Sequence, residues 1–454
     1  MGTTRRFKNA DYEATLNKQI RLGDALPANH LARFIVEIIG QLDMSRFYKQ
    51  YSERGGEAYA PEVLLGLLLY SYATGMFSSR EIEKATVESI PHHYIAGGMR
   101  PDHDTISHFR QRFLNELKAV FVELLLIGQA MGHLQMGNIS LDGSKIHADA
   151  SKHSAVSYAR LQELMCLYEQ EIAEILALAA QADSQPWPAD FCPTQEIALR
   201  EARLSRLAEA KAVLESRATV RYNGEVAAYE EKLAERAEYT QRTGKKLGGR
   251  TPQAPTSGAH DKDQYNFTDP ESRIMKQGNS DGFEQAYNAQ IAVDHESRLI
   301  VANTLSNHPT DAHEAIPTLQ AIPQALGKPT AAALDAGFFS TETVKRLAQM
   351  GIDPYIATGR LPHHRHWRTW FEQTQPSPPA DASLRLLMAY KLQTKVGQAI
   401  YRLRKSTVEP VFGIIKETLG FRQFSLRRLV NAAGEWNLVC LAYNLKRLHI
   451  LETA

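Results

Sequence analysis

Apolar positions along this chain follow two periods, and the change between them divides it. Up to about residue 130 they recur every three or four residues, the spacing of helices that bury one face. Ala60-Pro61-Glu62 opens an apolar stretch from Val63 to Tyr72 that stops at Gly75. Proline suits a first helical turn, and glycine suits the residue beyond the last. Ser78-Ser79-Arg80-Glu81 has the form of a capping box, in which the Ser78 hydroxyl accepts from the Glu81 amide and Glu81 reaches back. Ile82, Ala85 and Thr86 follow at helical spacing. Gly97-Gly98 and Pro101 interrupt the pattern, and Asp102 or Asp104 then starts a helix carrying Ile106, Phe109, Arg110 and Phe113. Two short helices before a polar third fit a helix-turn-helix arrangement, and they fit a plain helical bundle too.

Residues 137–142 read as a short buried strand ending in an acid, Asp142. The helical period returns between Ser154 and Ala182, with Leu161, Leu164, Leu167, Ile172, Ile175 and Leu176 in step. After a proline-containing break come Glu196 to Leu214 and Val226 to Tyr239, rich in Ala, Glu, Arg and Leu. Together these predict a helical hairpin or short coiled coil. Residues 243–250, followed by Pro252 and Pro255, read as a flexible basic loop.

Alternation of period two then takes over. Tyr287 to Asp294, a turn at His295 to Arg298, and Leu299 to Ala302 predict a β-hairpin. Asp311 to Leu326 reads as a helix, and Ala331 to Asp335 as a small-residue strand ending in a second acid. Ser340 to Met350 reads as a helix that Ser340 can cap, Ile352 to Ala357 as a strand, and Leu361 to Pro379 as a basic, proline-rich loop. Helical signals fill the chain from about 383 onward. Strands alternating with helices predict an α/β sheet, with parallel pairing among the last three strands. Such sheets carry functional groups at the carboxyl ends of their strands, where Asp142 and Asp335 are expected. Glu409 is expected on a later helix.

With 454 residues and 43% apolar content the chain can bury more than one core, and two to three domains are expected. Its net charge of +1 conceals a strong local asymmetry. From Lys391 to Arg428 nine Lys/Arg stand against Glu409 and Glu417, a local charge of +7. Within Tyr401 to Lys416 Glu409 is the one acid, and a lone acid in so basic a run suggests a metal-binding carboxylate where a polyphosphate backbone docks. Cys166, Cys192 and Cys440 lie far apart without CxxC spacing, which argues against a disulfide framework or zinc knuckle and for a reducing cytosol. Cys166 and Cys440 lie on apolar faces and read as core. The first 30 residues carry no apolar segment of signal-peptide type, and Val63 to Ala73 is too short to span a bilayer, so a cytoplasmic protein is expected. Lys245 to Arg250 lacks the phosphate-loop pattern and reads as a linker. His363-His364-Arg365-His366, beside Trp367 and Trp370, fits a solvated loop or a basic loop on DNA better than a metal site.

Phosphodiester chemistry asks for an activated nucleophile and stabilised leaving oxygen, which two Mg2+ ions about 3.5–4 Å apart can serve together. Mg2+ takes hard oxygen ligands and keeps several waters, so a few carboxylates suffice. Asp142, Asp335 and Glu409 supply that ligand type, although either aspartate taken alone would serve equally as a cap or turn residue.

Tyr401, Arg404, Glu409 and Lys416 follow one another in the order of a Tyr-Arg-Glu-Lys signature, with one residue more between Arg and Glu than its commonest form. In these residues the chain resembles the DDE transposases of bacterial insertion sequences, a ribonuclease H-like group. The same resemblance runs through Leu141-Asp142-Gly143-Ser144-Lys145, Asp269 to Met275, Tyr287 to Gln290, Asp335 to Phe339, Gly420 to Phe424 and Glu435 to Leu438. Ser79 to Glu83 and Pro101 to Ile106 resemble that group's DNA-binding region. The resemblance implies a metal-binding triad of Asp142, Asp335 and Glu409 holding two Mg2+ ions, with Mn2+ as substitute. Lys416, two α-turns after Glu409, would meet a terminal phosphate, and Tyr401 and Arg404 would flank the scissile end. Asp149 stands where an amide is expected and reads as a neutral variant.

The implied fold is α/β: a ribonuclease H-like mixed-sheet core, an N-terminal all-helical domain over 1–130, and a catalytic domain over 131–454 interrupted by a helical insertion at 150–268. The implied partners are double-stranded DNA, both the element's terminal inverted repeats and the target, and a second copy of the chain. The implied location is the bacterial cytoplasm, on the nucleoid when active. Two other classes stay open: a metal-dependent nuclease that cuts without joining, and an inactive DNA-binding repressor of its own element.

Overall fold

A computed structural model describes residues 21–51, 57–180, 187, 188, 190–244, 248, 251–276, 282–359, 377–379 and 382–453. The His363 loop and most of the Lys245 loop lie outside them. Seven helices come first: α1 Leu31–Ile39, α2 Ser45–Tyr48, α3 Pro61–Ala73, α4 Ser79–Glu88, α5 Ile90–Ile95, α6 His103–Arg112 and α7 Leu114–Ala130. Strand β1, Asn138–His147, leads to β2, Ala155–Ser157, and then to α8 Tyr158–Ala180 and α9 Pro193–Thr243. Strands β3 Gln264–Asn266, β4 Arg273–Lys276, β5 Phe283–Asp294 and β6 Ile300–Ser306 follow. After α10 Ala315–Gln320, β7 Ala331–Leu334, α11 Thr341–Gln349 and β8 Asp353–Ile356, the chain ends in α12 Leu384–Gln393, α13 Lys395–Ser406, α14 Val408–Gly413 and α15 Leu429–Thr453.

The sheet is mixed and centred on β1. On one side β1 pairs antiparallel with the long strand β5, whose far edge carries both β4 and β6. On the other side it pairs parallel with β7, which pairs parallel with β8. The hairpin of β5 and β6 forms as its alternation predicts, but β6 does not sit beside β7. The parallel neighbours of β7 are β1 and β8, because β1 occupies the slot that a simple alternating order would give to β6. The expected helix over 311–326 is shorter, reduced to α10 and a 3-10 turn at Gln324–Leu326. Ser340 caps α11 as expected, its hydroxyl accepting from the Thr343 amide at 2.9 Å. The Ser78 capping box does not form: the Ser78 hydroxyl makes no cap bond, and the turn is held by Ile82 N–H donating to the Ser78 carbonyl.

Between β1 and β4 the chain leaves the sheet as a helical hairpin, α8 against α9, rooted on the short antiparallel pair β2 and β3. The two helices expected over 196–239 are one helix of 51 residues that runs through Gly224. It buries Leu207, Ala210 and Leu214 with Leu161 and Val156 in a small core of its own. Cys166, expected in a core, is exposed, because the buried stripe of α8 runs through Leu161 and Ile175 instead. Cys440 is buried as expected, and all three cysteines are free. No described helix is long and apolar enough to cross a membrane.

The N-terminal helices and the sheet share one core. Helix α15 joins them, packing on α3 and α7 on one side and β6 on the other. Asn444 accepts from Ile300 N–H and donates to its carbonyl, both at 2.8 Å, so a side-chain amide satisfies the outer edge of β6. Arg110, on the helix that carries Ile106 and Phe109, is buried with them, donating to the Tyr72 hydroxyl at 2.9 Å; that hydroxyl donates to the buried Glu435 at 3.2 Å.

His92 is buried between the Ser71 and Ser89 hydroxyls and edge-on to Tyr70. Burial disfavours its imidazolium and pulls its pKa down from 6.5 to about 4. The unfolded chain therefore takes up a proton near pH 6.5 that the folded chain refuses until near pH 4. Stability from this group is complete above pH 6.5 and is lost as the pH falls toward 4, by about 2 kcal/mol between pH 8 and pH 5. The thermal midpoint should fall over that interval, and less steeply in His92→Gln; equal slopes in the two proteins would contradict this assignment.

Candidate active site

The acids meet where parallel pairing ends. The β1–β7 ladder runs from Asn138 opposite Ala331 to Leu141 opposite Leu334, and the next residues are Asp142 and Asp335. Asp335 leaves β7 there and caps a 3-10 turn, accepting from Ala336 N–H at 2.7 Å. Asp142 was expected at a strand end but lies mid-strand, since β1 continues to His147 on the antiparallel support of β5. What ends at Asp142 is only the parallel half of its pairing, and this opens one side of β1 for the site. Glu409 occupies the first turn of α14. Just before it, α13 brings Arg404 against β1 and β7.

Arg404 draws the three acids together. Its Nη1 lies 3.0 Å from Asp142 Oδ2, and its Nη2 lies 3.1 Å from Glu409 Oε1 and 3.8 Å from Asp335 Oδ1. The Arg404 side chain is 11% exposed, against 50% for Asp335 and 43% for Glu409, so the acids rim an open site with the guanidinium at its base. Tyr401, one turn earlier on α13, has its ring 6.0 Å from the Arg404 guanidinium and rests on Ala331, Tyr355 and Leu392.

Electrostatics single out Asp142. Burial raises its pKa from 3.8 to about 6, with Asp335 and Asp311 adding to the rise, while Arg404 and the Gly143 amide oppose it. Burial alone would lower the pKa of Arg404, but Asp142 and Asp335 hold it above its ordinary value. Burial raises the Tyr401 hydroxyl and lowers the Lys416 ammonium.

Lys416 is not two α-turns from Glu409. The helix widens at Ile414–Thr418 into a π turn, which shifts the register, and Lys416 Nζ donates to the Lys145 carbonyl of β1 at 2.9 Å. Asp149 stays apart from the acids, paired with Arg427 at 2.8 Å.

The sequence reading missed Asp311. One of its oxygens accepts from Asn288 at 2.7 Å and Gln290 at 2.9 Å, and it pairs with Lys145 at 3.3 Å. Gly143 makes this approach feasible: a Cβ there would lie 2.2 Å from the Gln290 amide nitrogen and 2.7 Å from the Asp311 carboxylate. The available signal was Asn288 and Gln290 themselves, polar residues two apart on a strand buried on both faces.

All three triad residues offer hard oxygens, the donor set that suits Mg2+. Among the described residues no three His, Cys, Asp or Glu side chains stand close enough to hold one ion, because each triad acid is turned to Arg404. The donor chemistry fits a divalent ion once the guanidinium yields its place.

A mixed sheet carrying acids at the end of its parallel ladder, behind a helical N-terminal region, is consistent with the ribonuclease H-like arrangement that the resemblance implies. Comparison with known families makes the class definite: residues 250–445 match the model described as transposase DDE domain, and residues 20–112 match that described as transposase domain (DUF772). Both matches are to transposase domains, consistent with a DDE transposase of an insertion sequence. Asp335 and Glu409 fall within the first match, and Asp142 precedes it. Neither comparison with curated proteins nor comparison with solved structures finds a match.

Proposed function

We propose that this transposase cuts the ends of its element and joins the freed 3′-hydroxyl to target DNA, with Asp142, Asp335 and Glu409 as ligands of two Mg2+ ions. The observation that carries the reading is the convergence of three acids, distant in sequence, on one guanidinium. The cost of turning carboxylates toward one another is repaid only by a cation, and here Arg404 supplies it. When bound, the ions would stabilise the attacking and leaving oxygens. Arg404, released from the acids, would turn its fork of donors to a phosphate of the scissile end. Tyr401 would limit where that guanidinium can swing. Lys416, anchored on the β1 backbone, would set a second positive charge beside the same strand.

The domain division follows the reading: a DNA-binding helical domain over 1–130 and a ribonuclease H-like catalytic domain over 131–454, interrupted by the insertion at 150–268. The mixed sheet with β1 antiparallel to β5 and parallel to β7 supports it. A homodimer, one copy for each end of the element, completes it.

The test is a labelled duplex carrying the inverted repeat, incubated with a target plasmid and Mg2+. Cleaved ends and joined products are expected, and both should vanish with EDTA. Cleavage without joining would replace this reading with that of a nuclease; tight binding with neither product would leave a DNA-binding protein.

A further inference from the structure

Helix α9 carries arginines along the face it turns to α8 and the strand pair. Most are committed: Arg200 pairs with Glu171 and Glu196, Arg217 donates to the Pro270 carbonyl, and Arg221 donates with one nitrogen to both carboxylate oxygens of Asp263. Arg203 and Arg206 differ. Among the described residues neither has a carboxylate within ion-pair distance. Each lies over an aromatic ring instead, Arg203 over Tyr168 at 5.6 Å and Arg206 over Phe267 at 5.3 Å. Phe267 is itself edge-on to Tyr265, which Arg217 covers from the other end. The row of rings is therefore held at both ends by guanidinium groups.

Arg203, Arg206, Tyr168 and Phe267 line a cavity of about 430 Å³ between α8, α9 and the segment after β3, with Ser154 and Thr268 on its wall. Residues three apart on a helix share one face, so both guanidiniums reach the same space. Stacking on a ring occupies the face of a guanidinium and leaves its N–H edge free. Two positioned donor edges with no acceptor among the described residues, beside hydroxyl groups, match the oxygens of a phosphate.

We propose that this cavity is a second DNA-contact site, in which Arg203 and Arg206 hold a backbone phosphodiester of the bound duplex. The proposal rests on the reading of the chain as a DNA-processing enzyme. Ser154 lies beyond the end of β1, and β1 alone carries the chain five residues past Asp142, roughly 17 Å at about 3.4 Å per residue. The phosphate held there therefore belongs to the duplex flanking the scissile one. The insertion thus acts as a clamp on the duplex flanking the cut.

The test compares the full chain with an Arg203→Gln/Arg206→Gln double variant. Duplex binding is titrated over a range of salt concentrations, and thermal midpoints control for folding. The variant should keep its midpoint and bind about tenfold or more weakly at low salt, with the slope of log affinity against log salt reduced by about 1, since each neutralised phosphate contributes about 0.9. An Arg203→Lys/Arg206→Lys variant, which keeps the charge, should recover most of the slope. Affinity and slope unchanged in the glutamine variant would overturn the proposal. So would titrations in which inorganic pyrophosphate binds the wild-type chain and not that variant while duplex affinity is equal in both, because the site would then serve a free anion. Failure of the wild-type chain to bind the duplex at all would instead overturn the proposed function.

Discussion

Glu409→Gln, or Asp142→Asn, is expected to lower the rate of end cleavage by about 10³-fold or more. On the proposed two-metal reading each change would remove a charged ligand of ions that supply several kcal/mol of transition-state stabilisation, and each 1.36 kcal/mol is a factor of ten. The fold should tolerate both changes. Glu409 is 43% exposed and its pairing with Arg404 is screened by solvent, while Arg404 keeps two carboxylates after either substitution. A second readout separates loss of chemistry from loss of structure. Mn2+ should raise the thermal midpoint of the wild-type chain by binding its folded form, and should do so far less for either variant. Cleavage by Glu409→Gln at the wild-type rate would remove Glu409 from the triad, whatever its position beside Arg404.

The largest effect on stability is expected at Glu435. Its carboxylate is buried between the N-terminal helices and the sheet. It accepts from Ser425 N–H and Leu426 N–H, both at 2.9 Å, and from the Tyr72 hydroxyl, which in turn accepts from Arg110. Burial raises the pKa of Glu435, and Arg110 and the two amides work against that rise. Glu435→Ala strands two amide donors and leaves a buried guanidinium without its counter-charge, a change of about 3–5 kcal/mol. Glu435→Gln keeps an acceptor and should cost less, though Arg110 still loses its partner charge. Chemical denaturation of the three proteins checks the order; an alanine variant within about 1 kcal/mol of wild type would show that water can replace the network.

The β5–β6 hairpin could be read locally because two apolar runs flank a short polar turn, whereas α15 is buried on all sides from Gly434 to Leu445 and carries no one-faced pattern. The helices expected over Glu196 to Leu214 and Val226 to Tyr239 are continuous, since the Gly224 between them costs a helix only about 1 kcal/mol and the chain on either side continues it. Asp142 shows the opposite difficulty. Its strand was cut short because Gly143, Ser144 and Lys145 lack the apolar signature, yet β5 supplies backbone partners for every one of them. Lys416 was misplaced because heptad arithmetic assumes an α-helix, and Ile414–Thr418 is a π turn.

The residue types of the site were legible in the chain: two aspartates after small-residue and apolar runs, and one of two glutamates set among nine cations. Their order, their spacing to Tyr401 and Arg404, and the alternation of the strands that bear Asp142 and Asp335 are properties of the sequence itself. Which group would stand among the acids was decided only in three dimensions. Arg404 reaches Asp142 across 262 positions of sequence because α13 crosses the end of the β1–β7 ladder. Asp311 approaches Asp142 because Gly143 has no side chain to keep it away. Local pattern records what each residue can do for its own helix or strand. The field at a carboxylate depends on charges that reach it through folding, and no window along the chain contains them.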